Sequence, residues 1–211
     1  MCSLFNSNRG SGHQAVGERD SRHSSGWASL QKFLATTESL RILDIGPTSA
    51  ININYVTSLG HSIYMANLVD EAAKPEWRSP GEQGEPENFD VDRFLAANLD
   101  FTGRKFDVVT FWDTADYLPP ILLQPVLARI HQVMQPGGLL LAFFHAKATG
   151  AETRFSRYHL TNADSVNIQR AGAHPLVATY NNRQIEKLLN AFSGYKFFLA
   201  KDNLSEVIAT R

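Results

Sequence analysis

The sequence has a single cysteine, no long apolar run and no cluster of basic residues. Because the cysteine is Cys2, the chain cannot form an internal disulfide framework or a cysteine-rich metal site, and we predict no metal centre. No apolar stretch is long enough to cross a bilayer, and the first residues lack the apolar core of a signal peptide. The formal net charge of −1 offers no basic surface to nucleic acid or to an anionic membrane. We therefore expect a soluble, cytoplasmic protein with neither nucleic acid nor membrane as a partner.

The apolar residues suffice for one domain preceded by a tail. Hydrophobic residues make up 43% of the 211 residues, which is enough for the core of one domain. Residues 1–24 are instead rich in serine, glycine, asparagine, arginine and histidine, and they have few apolar anchors. This composition predicts a flexible N-terminal tail over residues 1–24 and a folded domain over residues 25–211.

Short apolar runs alternate with helical patterns along the predicted domain. After a helical pattern that begins at Trp27, we predict strands at Arg41–Ile45, Ser62–Ala66, Phe106–Trp112 and 139–144, helices at 119–134 and 182–192, and a terminal hairpin at 195–200 and 206–210. The run 106–112 is apolar almost throughout, as expected for a strand buried on both faces of a parallel sheet. The alternation predicts an open α/β sheet with antiparallel strands at one edge.

Two segments allow more than one interpretation. Residues 51–56 alternate between apolar and polar like a strand, but Ser49 can cap a helix there. The strands on either side can pair in parallel only through a crossover, so we predict a helix. Residues 90–99 fit either a short helix or a strand.

The segment 41–50 contains the most informative motif. Asp44 lies within a short apolar strand, and Gly46 opens a tight turn directly after it. Such a turn lets backbone amides at the N-terminus of the next helix approach a ligand closely. Further glycines are expected at two-residue steps, and Thr48 and Ala50 stand there instead. The segment therefore predicts a nucleotide-like cofactor site with a modified turn.

Three motifs in this order resemble those of the class I S-adenosylmethionine-dependent methyltransferases. They are Ile-Leu-Asp-Ile-Gly at 42–46, Phe-Asp-Val-Val at 106–109 and Met-Gln-Pro-Gly-Gly at 134–138. The likeness covers about residues 27–211. It implies a Rossmann-like open sheet of about seven strands, with helices on both faces and an antiparallel terminal hairpin. It also implies that the chain binds S-adenosylmethionine and transfers its methyl group, in our expectation to a small-molecule acceptor.

The resemblance also implies which residues bind the cofactor. Asp44 and Gly46 match the first motif of the family, and Asn67 stands where an acid usually holds the ribose hydroxyls. A hydrogen bond to a charged group contributes about 1.5–3 kcal/mol, against about 0.5–1.5 kcal/mol for a neutral one, so this change weakens binding by about tenfold unless Asp70 substitutes. The adenine is usually held near the end of the third strand, where Asn98, Leu99 and Asp100 are the candidates. The predicted cofactor-binding residues are Asp44, Gly46, Pro47, Thr48, Asn67, Leu68, Asn98, Leu99, Trp112 and Asp113.

The sequence assigns no catalytic residue. A sulfonium methyl group is already activated, so positioning and a desolvated pocket supply most of the catalysis. Side chains predicted beyond the strand ends can orient or deprotonate an acceptor, and these are Asp113, Asp116, Tyr117 and His145.

Most of these residues also have a structural explanation. The Asp44 carboxylate can simply cap its turn, and Trp112 can be an ordinary core aromatic. Asp113 and Asp116 can cap the following helix, and a histidine at a strand end, such as His145, is more often a satisfied surface residue. We interpret a last group of residues as a solvated strand face rather than as a patch that binds an acceptor or an anion. These residues are Arg154, Arg157, Tyr158 and His159.

Two other functions were compared with methyl transfer. A catalytically inactive, methyltransferase-like binding or scaffold module is the alternative that the changes at Thr48, Ala50 and Asn67 favour. A nicotinamide-dependent oxidoreductase fits poorly, because no Gly-x-Gly-x-x-Gly follows Leu43 and no Tyr-x-x-x-Lys pair occurs in the chain.

Overall fold

Strands and helices alternate through the computed structural model, which describes residues 19–81, 88–148, 154–198 and 202–211. The strands are β1 (Asp20–His23), β2 (Arg41–Ile45), β3 (Ser62–Ala66), β4 (Arg78–Ser79), β5 (Asn88–Phe89), β6 (Phe106–Trp112), β7 (Met134–His145), β8 (Ser156–Leu160), β9 (Ser165–Arg170), β10 (Gly194–Phe198) and β11 (Leu204–Thr210). The helices are α1 (Ser25–Thr36), α2 (Ala50–Ser58), α3 (Leu68–Ala72), α4 (Val91–Asn98), α5 (Thr114–Tyr117), α6 (Pro120–Val133) and α7 (Asn182–Leu188). Within these ranges no helix is long and apolar enough to cross a membrane.

Six strands form the central sheet, in the order β10-β11-β7-β6-β2-β3. Strand β2 pairs in parallel with β3 and β6, and β6 pairs in parallel with β7. Strand β11 runs antiparallel to both β7 and β10, so the predicted terminal hairpin lies at one edge. The predicted fold class, a Rossmann-like α/β sheet with an antiparallel terminal pair, is confirmed.

The central sheet has one strand fewer than the predicted number of about seven. Residues 90–99, which fit a helix or a strand in the sequence, form α4. The Asp90 side chain caps this helix by accepting a hydrogen bond from the backbone N–H of Arg93 at 3.1 Å, and Phe94 is fully buried. The cap and the buried ring both favour the helix, so residues 90–99 add no strand to the sheet. None of the described residues pairs with the outer edge of β3.

Local signals account for most of the sheet and its crossovers. The predicted bounds of β2, β3 and β6 agree with the structure. The ambiguous residues 51–56 lie in α2, as predicted, and Ser49 caps that helix by accepting from the backbone N–H of Asn52 at 3.1 Å. Between α2 and β3, Gly60 has a φ of 82°, a conformation that glycine adopts without strain.

Separate apolar clusters fill the two faces of the central sheet. Helices α1 and α2 cover one face, where Ile42 of β2 belongs to the same cluster as Trp27 of α1. Helices α3 to α7 cover the other face, where Leu43, the next residue of β2, packs with residues such as Phe94. This alternation places the ends of β2, β3, β6 and β7 between two layers of helices.

A small antiparallel sheet, in the order β1-β9-β8, contains residues that were predicted to be tail. Strand β1 pairs with β9, and the Ser24 hydroxyl caps α1 by accepting from the backbone N–H of Trp27 at 3.0 Å. The same hydroxyl donates to the buried carboxylate of Glu206 on β11 at 2.9 Å. The predicted tail is therefore wrong at its C-terminal end, because contacts with distant strands hold residues 20–24 in place. Residues 1–18 lie outside the described residues.

Candidate functional site

The predicted cofactor turn lies at the carboxyl edge of the parallel strands. Gly46 follows β2, Asn67 follows β3, and Asp113 follows β6. The backbone N–H of Gly46 donates to the carbonyl of Ala66 at 2.9 Å, which holds the turn beside the end of β3. Ligands of open α/β sheets bind beyond this edge. The structure thus brings these three predicted residues to one edge of the sheet.

Asp44 is a buried carboxylate that ties β2 to its neighbours. Its Oδ1 accepts from the hydroxyl of Thr110 at 2.6 Å and from the indole N–H of Trp112 at 2.7 Å. Its Oδ2 accepts from the side-chain amide of Asn52 at 2.9 Å. Burial raises the pKa of Asp44, and these three donors oppose the rise. The partners we identify are side chains of β6 and α2 rather than backbone amides of the turn.

Two of these partners, Asn52 and Thr110, were missed in the sequence. Thr110 carried a usable signal, because a polar residue inside the apolar run 106–112 needs a hydrogen-bond partner when it is buried. Nothing in the sequence indicated that Asn52 is buried, since asparagine in the first turn of a helix is most often on the surface. In the structure Asn52 is 1% exposed, and it also accepts from the backbone N–H of Leu160 on β8 at 2.8 Å.

Trp112 covers Gly46 at the end of β6. Its backbone φ is 43°, which is a rare value for a bulky residue. A Cβ atom added to Gly46 would lie 3.2 Å from Cδ1 of the indole. The indole also stacks on the ring of Tyr158, with centroids 5.0 Å apart and planes 8° apart. Trp112 is therefore a core aromatic that at the same time borders the predicted turn.

The other predicted residues of the turn divide between core and surface. Pro47 is buried and Thr48 is exposed. Leu68 is fully buried in the core, on the first turn of α3. Asn67 is half-buried and caps α3, where its side chain accepts from the backbone N–H of Asp70 at 3.4 Å. Thr48 and Asn67 are thus the solvent-accessible members of this set of predicted residues.

Asn98 and Leu99 lie away from this edge. Asn98 ends α4, and its side chain donates to the carbonyl of Phe94 at 3.0 Å within that helix. Leu99 is fully buried, and its carbonyl accepts from Nε of Arg129, near the end of α6, at 3.0 Å. Because α6 leads into β7, this position is at the amino edge of the sheet. The prediction that these two residues end a third strand at the ligand edge is wrong, because the chain forms α4 there.

Four polar residues beyond the ends of β6 and β7 come together. Oδ2 of Asp116 accepts from both the backbone N–H and Nδ1 of His145, each at 2.7 Å. The ring of Tyr117 meets that of His145 edge-on, with centroids 6.3 Å apart. Asp113 accepts from the hydroxyl of Tyr158 at 3.0 Å. Asp116 is fully buried and His145 is 6% exposed, so the alternatives of a helix cap and a surface histidine are wrong for these two residues.

Burial controls the protonation of this cluster. It raises the pKa of Asp113 to about 7, and the negative charge of Asp116 adds to the rise. It raises the pKa of Asp116 to about 6 against the hydrogen bonds from His145. Burial alone would lower the pKa of His145, but the hydrogen bond and charge of Asp116 outweigh it and leave that pKa raised. Two carboxyl groups therefore titrate close to neutral pH beside an imidazole.

A cavity of about 920 Å³ opens between the small sheet and the ends of β6, β7 and β11. Its wall includes polar residues from each of these elements, among them Asp113, His145, Tyr158, Arg154, Arg22 and Glu206. All of the predicted cofactor-binding residues are described, and of these only Asp113 lines the cavity. In the described ranges no three His, Cys, Asp or Glu side chains are grouped so that they could hold a metal ion.

The residues predicted to form a solvated strand face lie in different environments. Tyr158 and His159 are each 3% exposed, so the prediction is wrong for both. Nδ1 of His159 forms a hydrogen bond of 2.8 Å with the hydroxyl of Ser49. Arg154 is exposed and lines the cavity, whereas Arg157 is half-buried and donates to Gln169 at 3.2 Å.

Comparison with known proteins gives a consistent family and fold. Residues 20–194 match a family model described as a methyltransferase domain, and no curated protein matches the chain. A solved S-adenosylmethionine-dependent methyltransferase of Methanosarcina mazei has a TM-score of 0.51 and 18% identity, over 86% of this chain and 96% of its own. A TehB-like S-adenosylmethionine-dependent methyltransferase of Corynebacterium glutamicum has a TM-score of 0.49 and 14% identity, over 88% and 87% of the two chains. The 1,6-didemethyltoxoflavin-N1-methyltransferase of Burkholderia thailandensis has a TM-score of 0.44 and 15% identity, over 88% and 75%.

Proposed function

Because the chain belongs to the class I S-adenosylmethionine-dependent methyltransferases, its reaction is methyl transfer, and we propose that the acceptor is a small molecule bound in the cavity beside Asp113. The observation that carries this proposal is the cavity itself. Its volume of about 920 Å³ lies within the range of roughly 300–1,000 Å³ that small-molecule sites occupy. It also lies at the carboxyl edge of the sheet, where ligands of this architecture bind.

S-adenosylmethionine, the cofactor of the family, fits this edge at the ribose end. Asn67 and Asp70 can face the ribose hydroxyls, since Asn67 is half-buried and the side chain of Asp70 is 50% exposed. Oδ1 of Asp70 also forms a hydrogen bond of 2.6 Å with Nε2 of His174, and its Oδ2 accepts from the side-chain amide of Asn67, so a ribose hydroxyl would share these oxygens. The methionine portion is expected beside Gly46, and the indole of Trp112 borders that glycine, 3.2 Å from the position of an added Cβ atom.

The contribution of the chain to methyl transfer is to position the acceptor and to exclude water. The cofactor supplies a methyl group that is already activated, so alignment and desolvation provide most of the rate. Asp113 can hold a hydroxyl or amine group of the acceptor, because at a pKa of about 7 its carboxyl can donate or accept a hydrogen bond. Tyr158 fixes the orientation of this carboxyl through its hydrogen bond of 3.0 Å.

The charges of the cavity wall favour a small acceptor over nucleic acid. Asp113, Asp202 and Glu206 contribute carboxyl groups to the wall, and Arg22 and Arg154 contribute guanidinium groups, so the wall is not a basic surface. The guanidinium of Arg22 is already paired with Asp202 at 2.6 Å and with Glu206, so it offers little to a phosphate. The formal net charge of the whole chain is −1, which gives no long-range attraction for a polyanion. We also propose the cytoplasmic location that the composition predicts.

Titration calorimetry of the full chain with S-adenosylhomocysteine tests the cofactor side of this proposal. We expect saturable binding, and we expect Asp70→Asn to weaken it by about tenfold, since a charge-assisted hydrogen bond is replaced by a neutral one. Asp92→Asn is the matched control, because Asp92 is exposed on α4 and lies outside the cavity wall, so it should leave binding unchanged. If no heat is released at millimolar ligand, the proposal fails, and that result favours a catalytically inactive binding module.

A further inference from the structure

The two ring nitrogens of His145 have different environments in the cavity wall. Nδ1 lies 2.7 Å from Oδ2 of Asp116, and the same oxygen accepts from the backbone N–H of His145 at 2.7 Å. These two contacts fix the ring and place the proton on Nδ1 when the imidazole is neutral and the carboxylate is ionised. Nε2 is then the unprotonated nitrogen, and in the described part of the chain nothing hydrogen-bonds to it.

Two buried polar atoms next to this pair have no partner among the described residues. They are Oδ1 of Asp116 and the hydroxyl of Tyr117, in residues that are 0% and 4% exposed. Leaving a buried polar atom unpaired is unfavourable, so native proteins usually complete such atoms with water or a ligand. Neither Asp116 nor Tyr117 lines the cavity, so of the Asp116–His145 pair it is His145 that an acceptor can reach.

We propose that His145 is the general base for the acceptor and that Asp116 is its positioning residue, so that the acceptor is an alcohol, phenol or amine that loses a proton as it is methylated. This inference rests on the proposed function. The O–H bond of an alcohol or phenol, or one N–H bond of a protonated amine, breaks; its proton bonds to Nε2 of His145, and the electron pair stays on the acceptor atom. That pair forms the bond to the methyl carbon, while the carbon–sulfur pair remains with the sulfur of the family's donor.

The electrostatics of the wall suit this role. A general base works best when its pKa lies near the operating pH. Burial lowers the pKa of His145, and the hydrogen bond and charge of Asp116 outweigh this effect. The imidazolium that forms would be stabilised by the same carboxylate. The charges of Asp113, after β6, and Asp202, before β11, also raise the pKa of His145. Tyr117 on α5 meets the ring edge-on, and the other charged or titratable side chains of the cavity wall are Arg22, His23, Arg154, Tyr158 and Glu206. Acceptors that have no proton to lose, such as carboxylates, gain nothing from this arrangement.

The ionisation of 4-nitrophenol tests the proposal without any methyl donor, because its visible absorbance appears only when its hydroxyl is deprotonated. Below the pKa of the free phenol, we expect the wild-type chain to produce the phenolate band in proportion to the occupied sites. His145→Asn removes Nε2 but keeps an amide that can donate to Asp116, and we expect it to reduce the band at least about tenfold. His131→Asn is the matched control, since His131 lies on α6, where its ring packs against Phe192, and does not line the cavity.

A second variant separates a base from a purely structural contact. Asp116→Asn removes the charge that raises the pKa of His145, so the pH at which the band appears should rise by about one unit or more. A structural contact would lower stability on substitution and leave the band unchanged. The absence of a phenolate band with the wild type, or an undiminished band with a folded His145→Asn, overturns the proposal. Since no cofactor is present, this failure is distinct from a failure of S-adenosylhomocysteine to bind.

Discussion

Ionisation of Asp113 is unfavourable in the folded protein, and the variant Asp113→Asn measures the free energy that this ionisation costs. The residue is 1% exposed, and burial together with the charge of Asp116 raises its pKa to about 7 from the ordinary value of 3.8. Asparagine has nearly the same shape, and its carbonyl can still accept from the hydroxyl of Tyr158. The substitution therefore removes the ionisation and keeps the packing.

The sign and size of the effect follow from proton binding. Between pH 3.8 and about 7 the unfolded chain has lost the Asp113 proton, while the folded chain still holds it. Wild-type stability therefore falls as the pH rises through this window and levels off above it. A shift of one pKa unit corresponds to about 1.4 kcal/mol, which sets a ceiling of about 4 kcal/mol for this group. We expect Asp113→Asn to match the wild type near pH 4 and to be more stable than the wild type at pH 8.

Urea unfolding at pH 4, 6 and 8 gives the free energy of unfolding of both proteins. Asp116 and His145 titrate in both, so the informative quantity is the difference between variant and wild type at each pH. The exposed Asp100→Asn variant is the control and should differ from the wild type by less than about 0.5 kcal/mol at every pH. A difference for Asp113→Asn that does not change with pH would refute the reasoning, because it would show that ionisation of the buried carboxyl is not the cause.

Two stability predictions follow from the packing around the sheet. Gly26→Ala should destabilise the protein by about 1–3 kcal/mol, because the new Cβ would lie 2.7 Å from Cδ1 of Leu141. The same urea unfolding assay measures the change. Gly194→Ala is the control, because its new Cβ meets nothing within 4 Å. Asp44→Asn should cost about 1–3 kcal/mol, because an amide cannot accept from all the donors now bound to the carboxylate, of which Thr110 is the nearest. A stability equal to that of the wild type for either variant would contradict these contacts.

The parallel strands could be predicted from the sequence because their signal is local. Strands β2 and β6 are short apolar runs bounded by turn residues, and burial on both faces makes such runs nearly continuous. The crossover helix α2 was predicted despite its alternating pattern, since the parallel pairing of β2 with β3 leaves room for little else. In these elements the local preference and the tertiary structure agree.

The structure differs from the sequence predictions where contacts between residues far apart in the sequence decide the conformation. Residues 20–23 are polar and resemble a tail, yet Arg22 is held by Asp202 at 2.6 Å, which is 180 residues away. Residues 90–99 carry both helical and strand signals, and the helix forms because Phe94 packs edge-on against Trp77, with centroids 5.3 Å apart. Neither contact leaves a periodic pattern in its own segment. Sequence periodicity therefore could not identify β1 or exclude a third strand at α4.

The arrangement of the site depends on the same kind of distant contact. Asp44 was predicted from the motif to bind the cofactor. In the structure it acts on the turn through Trp112, because its Oδ1 accepts from the indole N–H at 2.7 Å. That indole covers Gly46, and Tyr158, which stacks on it, donates a hydrogen bond to Asp113 in the cavity wall. The acid of the motif thus helps to hold the ring that covers the turn, and the same stack borders the cavity. Movement of Trp112 would therefore affect the turn and the cavity wall together, so cofactor binding over Gly46 and acceptor binding beside Asp113 should be coupled through this residue.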